Sequence, residues 1–371
     1  MKTSKVIYVV KDRLHIYPPC VSQIVMLRDL GIDVYVIAEA CDKSAENIIK
    51  DSGAEIKILG NLLTGCDILG RVLRWINFGR LAIKEIKKVY NKNDIIWLGT
   101  ERTGMAIRGF IKNKKVVLNS LELNPKESLY GRLIGKMIKN KPIIVACELN
   151  RARIMKIWYK LDEIPFVMPN KPYYEVVAEK SEAVTQFQKQ LENKKYILYQ
   201  GILHPERPLD TLAMALNHTK EHYTLVIIGG ASSKDKEIKM IDHLKSIYPD
   251  VVFGGLFPAP QHLYITENAF IGVAIYDNSS INTIFCAPNK TFEYAKYNVP
   301  VIGSDLPGLQ LTVEKFNAGI CTDINDSKSL ALAIDEISDN YEKYKKGTEK
   351  LYNSVNNLKV MEEIASKLEL L

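Results

Sequence analysis

Residues 196–230 read YILYQGILHPERPLDTLAMALNHTKEHYTLVIIGG, and the order of apolar runs and turns in them indicates the fold class. Its two ends, residues 196–200 and 224–228, are runs of apolar and β-branched residues with the length of a strand. The residues that follow Asp210 have the pattern of a helix. A strand, a helix and a second strand in this order predict a Rossmann-like unit with parallel strands.

The same alternation of strands and helices extends over the rest of the chain. The predicted strands are residues 5–10, 33–38, 55–59, 95–99, 115–118, 143–146 and 166–168 in the first half, and residues 196–200, 224–228, 251–253, 271–275, 299–303 and 319–322 in the second. This pattern predicts an α/β protein with two Rossmann-like doubly wound domains that face a central cleft.

The chain length of 371 residues favours two domains, because one ordinary core does not grow to that size. We place the first domain at residues 1–172 and a linker with a helix at residues 173–195. The second domain spans residues 196–355. Residues 356–371 form a terminal helix that we expect to return to the first domain.

Composition argues against several classes of protein. The six cysteines lie far apart and form no C-x-x-C pair, which argues against a zinc cage or a disulfide framework. The longest apolar runs are far shorter than the roughly 20 residues that cross a bilayer. The amino terminus lacks the pattern of a signal peptide. We therefore expect a cytoplasmic protein with no metal.

Charge is distributed unevenly between the two halves. Residues 1–171 hold 30 Lys and Arg against 17 Asp and Glu, whereas residues 172–371 hold 20 against 26. The first half is therefore expected to contact something anionic, such as a membrane surface, a phosphorylated acceptor or nucleic acid. The sequence contains no recognised nucleic-acid module, so we expect no nucleic-acid partner.

A predicted helix at residues 69–90 favours the membrane among these partners. We expect its core-facing stripe to consist of Leu69, Val72, Leu73, Ile76, Ile83, Ile86 and Tyr90. Arg71, Arg74 and Phe78 are expected to project outward, as on a helix at a lipid interface. A second basic cluster is formed by Arg132, Lys136, Lys139 and Lys141. These features predict peripheral association with an anionic membrane, with a solvated basic face as the alternative.

Three loops in the second half follow predicted strands and suit the binding of phosphate groups. Gly201 follows the first strand and Gly229 the second, and a polar loop after the fourth leads to PNKTFEY at residues 288–294. Glycine-exposed N–H groups, helix amino termini and basic side chains all bind phosphates. Together the loops predict a diphosphate site.

This region resembles the donor-binding domain of retaining GT-B glycosyltransferases of family 4, of the bacterial polysaccharide biosynthesis type. Residues 199–201 (YQG) and 207–212 (RPLDTL) look like that family's "YxG…RGLDxL" opening. Residues 287–302 (APNKTFEYAKYNVPVI) look like its "PNKxFEYxAxGxPVI" block. The resemblance implies a GT-B fold and a nucleotide-sugar donor.

The resemblance also implies roles for individual residues. Arg207 and Lys290 would bind the donor diphosphate beside Gly201 and Gly229, and Glu293 would bind the ribose. A carboxylate accepts from both hydroxyls of a vicinal diol, and two cations stabilise a leaving diphosphate without a metal. The sequence contains no Asp-x-Asp pair, consistent with metal-independent transfer and with no cofactor besides the donor.

The sugar and base ends of the donor are less well defined. Leu256 and Phe257 follow the third strand, where the family packs its nucleobase. Many relatives place a glutamate eight positions before the one at Glu293, but this chain has Phe285 there. The remaining polar candidates for contact with the donor sugar are Asn282, Thr283 and Asn289.

Two loops of the first half are candidates for the acceptor side. Residues 119–125 (NSLELNP) resemble the "D-x-H-E-L-x-P" element of related bacterial enzymes, with Leu121 at the histidine position. Glu122 is the candidate catalytic carboxylate, with a structural role as the alternative. The loop after the first strand lies at the ligand crevice of an open sheet and offers Arg13, His15 and Tyr17.

These observations lead to one expected function and two alternatives. We expect a retaining, metal-independent glycosyltransferase that moves a hexose-type sugar from a UDP-sugar to a glycan acceptor. The acceptor is expected to be lipid-linked, at the inner membrane face, in bacterial surface polysaccharide assembly. The alternatives are a nucleotide-sugar epimerase on the same fold and a non-catalytic GT-B scaffold at the membrane.

Overall fold

The computed structural model describes residues 4–60, 68–173, 179–204 and 208–371, which form two compact units. Unit 1 comprises Met1–Glu175 together with Asn356–Leu371, and unit 2 comprises Val176–Val355. Each unit is built around a parallel sheet with its own core. The α/β class is confirmed, and the ends of the predicted strands differ from the observed ones by at most 3 residues.

The sheet of unit 1 has seven strands in the order β3-β2-β1-β4-β5-β6-β7. They are β1 (Val6–Arg13), β2 (Val34–Ala40), β3 (Glu55–Ile58), β4 (Ile95–Leu98), β5 (Val116–Ser120), β6 (Ile143–Ala146) and β7 (Phe166–Val167). Every residue of β4 and β5 is buried, because helices cover both faces of a parallel sheet.

The helices of unit 1 lie between these strands, and a 3-10 helix (Leu14–Ile16) follows β1. They are α1 (Pro18–Asp29), α2 (Lys43–Asp51), α3 (Ile68–Val89), α4 (Glu101–Ile107), α5 (Leu129–Ile138) and α6 (Leu149–Tyr159). Side-chain oxygens of Asp42, Thr100, Ser128 and Glu148 accept hydrogen bonds from first-turn N–H groups. These caps fix where four of the helices begin.

Unit 2 has a six-stranded parallel sheet in the order β10-β9-β8-β11-β12-β13. Its strands are β8 (Tyr196–Gln200), β9 (Thr224–Ile228), β10 (Val251–Gly255), β11 (Ile271–Ala274), β12 (Val301–Ser304) and β13 (Gly319–Thr322). Its helices are α7 (Glu182–Gln190), α8 (Leu209–Leu216), α9 (Lys234–Ile247), α10 (Leu263–Thr266), α11 (Ile281–Ile284), α12 (Asn289–Lys296), α13 (Pro307–Leu309, continued by a π-helix over Gln310–Glu314), α14 (Ser327–Asp339) and α15 (Tyr341–Asn353).

The last helix, α16 (Asn357–Lys367), packs into the core of unit 1. Met361, Ile364 and Ala365 are fully buried there. The Asn357 side chain donates to the Pro169 carbonyl at 2.8 Å. The carboxyl terminus of the chain therefore completes the unit in which the amino terminus lies.

The strand orders place one topological switch point in each sheet. The order reverses between β1 and β4 in unit 1 and between β8 and β11 in unit 2. Ligands of open parallel sheets bind at the carboxyl ends of the strands that flank such a point. The loops after these four strands are therefore where each unit is expected to hold its ligand.

The packing face of α3 differs from the predicted one. Phe78 is only 3% exposed, although we expected it to project outward. Arg74 forms an ion pair with Glu39, with 2.6 Å between Nε and Oε1. Three side chains that we expected in the core are instead exposed: Val72, Leu73 and Ile76. Leu69 lacks a described side chain, so its part of the predicted stripe lies outside the description.

Candidate active site

Two glycine loops end the neighbouring strands β8 and β9. Gly201 and Gly229 have φ angles of +144° and +137°, which residues with side chains rarely adopt. A Cβ atom at Gly229 would lie 1.8 Å from the carbonyl oxygen of Gly201. The two loops therefore touch through backbone atoms. Because this packing alone requires glycine, the glycines by themselves do not indicate a phosphate site.

Lys290 lies in the first turn of α12 and extends toward the end of β8. Its Nζ lies 4.7 Å from the ring centre of Tyr199 and 5.5 Å from that of Tyr276. A Cβ atom at Gly201 would lie 3.1 Å from this Nζ. Pro288, at the N-cap of α12, provides no side-chain acceptor for the first N–H groups. A cation and a helix amino end thus meet beside Gly201, an arrangement that favours an anion.

Glu293 lies one turn further along α12 and is held by two side chains. Its Oε2 accepts a hydrogen bond from Gln200 Nε2 at 2.5 Å and lies 3.5 Å from His262 Nε2. Gln200 in turn accepts a hydrogen bond from the Thr266 hydroxyl at 2.8 Å. Among the described residues, Oε1 of Glu293 has no hydrogen-bond partner. The carboxylate is fixed on one oxygen and can accept a hydroxyl on the other.

Gln200, His262 and Thr266 are site residues that the sequence did not single out. Gln200 is the last residue of β8, directly before Gly201, and this position after a buried strand was the available signal. His262 is the N-cap of the short helix α10 and Thr266 is its last residue, and neither belongs to a recognised motif. Their role follows only from the folded structure, which brings α10 against α12.

The other predicted donor residues have different positions. Arg207 lies outside the described residues. Asn289 is the first residue of α12, and Asn282 lies in α11. The Thr283 hydroxyl donates to the Ser280 carbonyl at 2.8 Å as part of the cap of α11. Thr283 therefore has a structural task, whereas Asn282 and Asn289 are partly exposed.

Leu256 and Phe257, predicted beside the nucleobase, differ in their surroundings. Leu256 is 78% exposed. The Phe257 ring lies 5.4 Å from that of Phe187 and packs against the core of unit 2. Phe257 thus contributes to the core, and the exposed Leu256 is available for contact with a ligand.

The predicted acceptor loop of unit 1 continues directly from β1. Arg13 is exposed at the end of β1. The His15 Nδ1 accepts a hydrogen bond from the Asp42 N–H at 3.0 Å. Tyr17 is the N-cap of α1, and burial raises its pKa to about 12, with a smaller effect from Asp12. The His15 side chain thus binds the local backbone, whereas the Tyr17 ring packs against the core of unit 1.

A network of charged side chains lies beside this loop and was missed by the sequence reasoning. Lys11 is 7% exposed, and its Nζ lies 2.7 Å from Asp12 and 3.7 Å from Glu39. Arg74 pairs with Glu39, and Arg102 lies 3.5 Å from Asp12. The signal was the run of charged residues directly after the predicted strand at residues 5–10, and these residues form a polar cluster at the switch point of unit 1.

The loop that carries Glu122 is held by two buried side chains. The Glu122 N–H donates to Glu101 Oε1 at 2.9 Å, and Ser120 Oγ donates to the same oxygen at 2.8 Å. Arg151 donates to the Leu121 carbonyl at 2.5 Å. Glu122 itself is exposed. Burial raises the pKa of Glu101 to about 7, although these hydrogen bonds act in the opposite direction.

The site in unit 2 lies within a region that matches a known family. Residues 181–353 match the family described as "Glycosyl transferases group 1". This interval contains both glycine loops, Lys290 and Glu293. The matched interval covers nearly all of unit 2 and just under half of the chain. The chain is therefore a glycosyltransferase.

Solved structures with low sequence identity share the fold of the whole chain. HepE from Anabaena, in complex with UDP-glucose, has a TM-score of 0.73 at 15% identity, covering 99% of this chain and 100% of that one. Sucrose-phosphate synthase from Thermosynechococcus elongatus has a TM-score of 0.72 at 14% identity, with 98% of each chain covered. The fold is GT-B, in agreement with the prediction. No curated protein sequence matches the chain significantly.

A third similar structure shows that the GT-B fold alone does not define the reaction. A putative UDP-N-acetylglucosamine 2-epimerase from Listeria monocytogenes has a TM-score of 0.65 at 12% identity, covering 100% of this chain and 96% of that one. The reaction class therefore rests on the glycosyltransferase domain and on the residues within it. No described helix of the chain is both long and apolar enough to span a membrane.

Proposed function

We propose that the chain is a retaining, metal-independent glycosyltransferase that transfers a hexose-type sugar from a UDP-sugar to a glycan acceptor. The proposal rests mainly on the positions of Lys290 and Glu293, which both lie in the first two turns of α12. One presents a cation beside Gly201, and the other presents a carboxylate oxygen that accepts hydroxyl groups. Diphosphate and ribose groups require these two kinds of contact.

The same residues support a transfer in which the diphosphate leaves. As the bond between the sugar and the diphosphate breaks, negative charge grows on the leaving oxygen. Lys290 and the amino end of α12 stabilise that charge, and Arg207 is proposed to add a second cation. In the family that the sequence resembles, this oxygen takes the acceptor proton on the same face of the sugar. Retention of configuration then requires no protein nucleophile.

Unit 1 is proposed to bind the acceptor and an anionic membrane surface. Its excess of basic residues and the exposed apolar side chains on α3 suit a lipid-linked glycan acceptor at the inner membrane face. Glu122 is the proposed acceptor-facing carboxylate, because Glu101 and Arg151 fix its loop. A UDP-sugar donor and a lipid-linked glycan acceptor are substrates that suit the assembly of a bacterial surface polysaccharide.

The test is a screen of nucleotide sugars for donor hydrolysis and transfer. We expect release of UDP from at least one UDP-hexose, and a loss of about 10- to 100-fold in Lys290→Ala, because a hydrogen bond to a charged group is removed. Lys296→Ala, at the other end of α12, is the matched control and should retain wild-type turnover. Absence of UDP release from every donor, with any acceptor extract, would refute the transferase proposal.

Product analysis separates transfer from the epimerase alternative. Transfer releases UDP and consumes the donor, whereas an epimerase returns a nucleotide sugar of changed configuration without net UDP release. Phe285, which replaces a family carboxylate, removes one group that acid–base chemistry at the sugar would use. Accumulation of an epimeric nucleotide sugar would therefore favour the alternative reaction. Binding of UDP without any turnover would favour the scaffold.

A further inference from the structure

A groove of about 790 Å³ runs along α5 in unit 1. Helix α5 forms one wall, and residues 158–166, which lead from α6 to β7, form the other. The Tyr159 hydroxyl donates to the Gly131 carbonyl at 3.1 Å, and its ring lies 3.2 Å from where a Cβ atom of Gly135 would be. We call this feature the α5 groove.

The α5 groove begins at Lys126 and Glu127, directly after the acceptor-loop candidate at residues 119–125, and extends away from it. Its floor includes Ile143 and Phe166, which are the first residues of β6 and β7. The loops at the switch point begin after the last residues of β1 and β4, which are Arg13 and Leu98. Because all strands are parallel, the groove reaches the edge of the sheet opposite to those loops. A ligand bound at that edge leaves the switch point of unit 1 accessible.

Cationic side chains without carboxylate partners surround the α5 groove. Six exposed basic residues line it, and within the described part of the chain the side chain of none of them has an ion-pair or hydrogen-bond partner: Lys126, Arg132, Lys136, Lys139, Lys141 and Lys160. A seventh, Lys367, pairs with Glu163 at 2.5 Å. The two further carboxylates of the lining are Glu127 and Asp162. The groove therefore has a positive rim that the protein itself does not neutralise.

The interior of the α5 groove is apolar and aromatic. Ile138, Ile144, Trp158, Leu161 and Phe166 contribute to its lining. Ile164, also part of the lining, is 46% exposed. A small inorganic anion would use the rim and leave this apolar surface in contact with water. A molecule with a phosphate group and an alkyl chain would use both.

We propose that the α5 groove binds an anionic phospholipid of the membrane, with the phosphodiester at the basic rim and the first part of an acyl chain against the apolar floor. The inference rests on the proposed membrane association and assigns it a specific site. The volume lies in the range of roughly 300–1,000 Å³ that is usual for small-molecule sites. The basic rim complements the lipid headgroup, and Trp158 and Tyr159 are residue types that favour the interface.

The test is flotation of the full chain with vesicles of phosphatidylcholine, with or without phosphatidylglycerol. Wild type should float only with the anionic vesicles. The triple variant Lys136→Gln/Lys139→Gln/Lys141→Gln should bind them about 100-fold more weakly, since each lysine near an anionic surface contributes roughly a factor of five. The matched control, Lys236→Gln/Lys239→Gln/Lys245→Gln on α9, removes the same charge from exposed positions and should bind within about two-fold of wild type.

A second measurement distinguishes a lipid from a free phosphate. Short-chain dihexanoylphosphatidylglycerol, below its micelle concentration, should bind wild type saturably, and Ile164→Gln should weaken this binding. Glycerol 1-phosphate at the same concentration should bind at least ten-fold more weakly. Equal binding of glycerol 1-phosphate, wild-type vesicle binding by the triple variant, or an equal loss in the α9 control would each overturn the proposal.

Stabilisation by UDP keeps this test independent of the proposed reaction. The triple variant changes unit 1 only, so UDP should stabilise its unit 2 as it does in wild type. If UDP stabilises neither protein, the proposed function fails while the vesicle result still stands. If UDP stabilises both and both bind vesicles equally, only the α5 groove proposal fails.

Discussion

Glu101 is a buried carboxyl group that holds the loop of Glu122 through two hydrogen bonds. Its pKa is raised to about 7 by burial, compared with about 4.3 for an exposed Glu. Between these two pH values, the Glu101 carboxyl group is therefore protonated in the folded protein and ionised in the unfolded chain. The contribution of Glu101 to the free energy of unfolding is therefore most favourable at or below the lower pKa. It becomes less favourable as the pH rises toward 7 and levels off above that pH.

Replacement of Glu101 by Gln should remove this dependence. Between pH 5 and pH 8 the free energy of unfolding of Glu101→Gln, relative to wild type, should increase by about 2 kcal/mol. Urea unfolding at several pH values measures the difference. Glu122→Gln, at an exposed carboxylate of the same loop, is the control. If the difference in unfolding free energy between Glu101→Gln and wild type does not change with pH, Glu101 is not protonated in the folded protein as proposed.

Sequence reasoning at the residue scale recovers local motifs and misses their distant partners. Lys290 and Glu293 were predicted because they are part of one contiguous block. The partners of Glu293 are Gln200 and His262. Glu101, which follows β4, binds Ser120 and Glu122 at the end of the neighbouring strand β5. Such pairs form only because the order of strands in the sheet places particular strand ends next to each other. A single sequence does not specify that order.

At the scale of a helix, α3 shows why an apolar pattern can be assigned to the wrong face. The sequence offers apolar residues on two sides of this helix, so periodicity alone does not choose between them. The deciding residue is Gly79, because a Cβ atom there would lie 2.5 Å from the carbonyl oxygen of Ala106 in α4. Close approach at Gly79 buries the adjacent Phe78 and leaves Ile76 exposed.

The observed face of α3 predicts opposite effects for two neighbouring residues. Phe78→Ala should reduce the free energy of unfolding of unit 1 by about 3 kcal/mol, because it leaves a cavity in packed surroundings. Ile76→Ala, at a side chain that is 56% exposed, should change it by less than about 0.5 kcal/mol. Denaturant titration of both variants provides the comparison. A larger loss of unfolding free energy in Ile76→Ala than in Phe78→Ala would mean that α3 packs with the face predicted from the sequence.

At the scale of the whole molecule, the strand pattern was predictable because parallel strands are buried on both faces. Such strands are short, continuous apolar runs, as in β9 with the sequence TLVII. The return of the chain to unit 1 was expected only by analogy. The burial of Met361 and Ile364 now gives it a physical basis.

Deletion of residues 356–371 should therefore destabilise one unit selectively. Removing α16 exposes core that Met361, Ile364 and Leu368 cover, at a cost of roughly 2 kcal/mol or more for each side chain. Calorimetry should show the transition of unit 1 lowered or lost and that of unit 2 retained. Two unchanged transitions after the deletion would mean that α16 does not stabilise unit 1.

Thermal unfolding in the presence of UDP measures whether unit 2 binds the nucleotide part of a donor through Lys290 and Glu293. At about 100 times its Kd, UDP should stabilise wild type by about 2.7 kcal/mol, which raises the Tm of unit 2 by roughly 5–10 °C. In Glu293→Ala and Lys290→Ala, a Kd that is about 10- to 100-fold weaker should leave only about 1.4 to 0.4 kcal/mol of this stabilisation, whereas Lys296→Ala should show the wild-type shift. No shift of the wild-type Tm with any nucleoside diphosphate, or an undiminished shift in Glu293→Ala, would contradict the account.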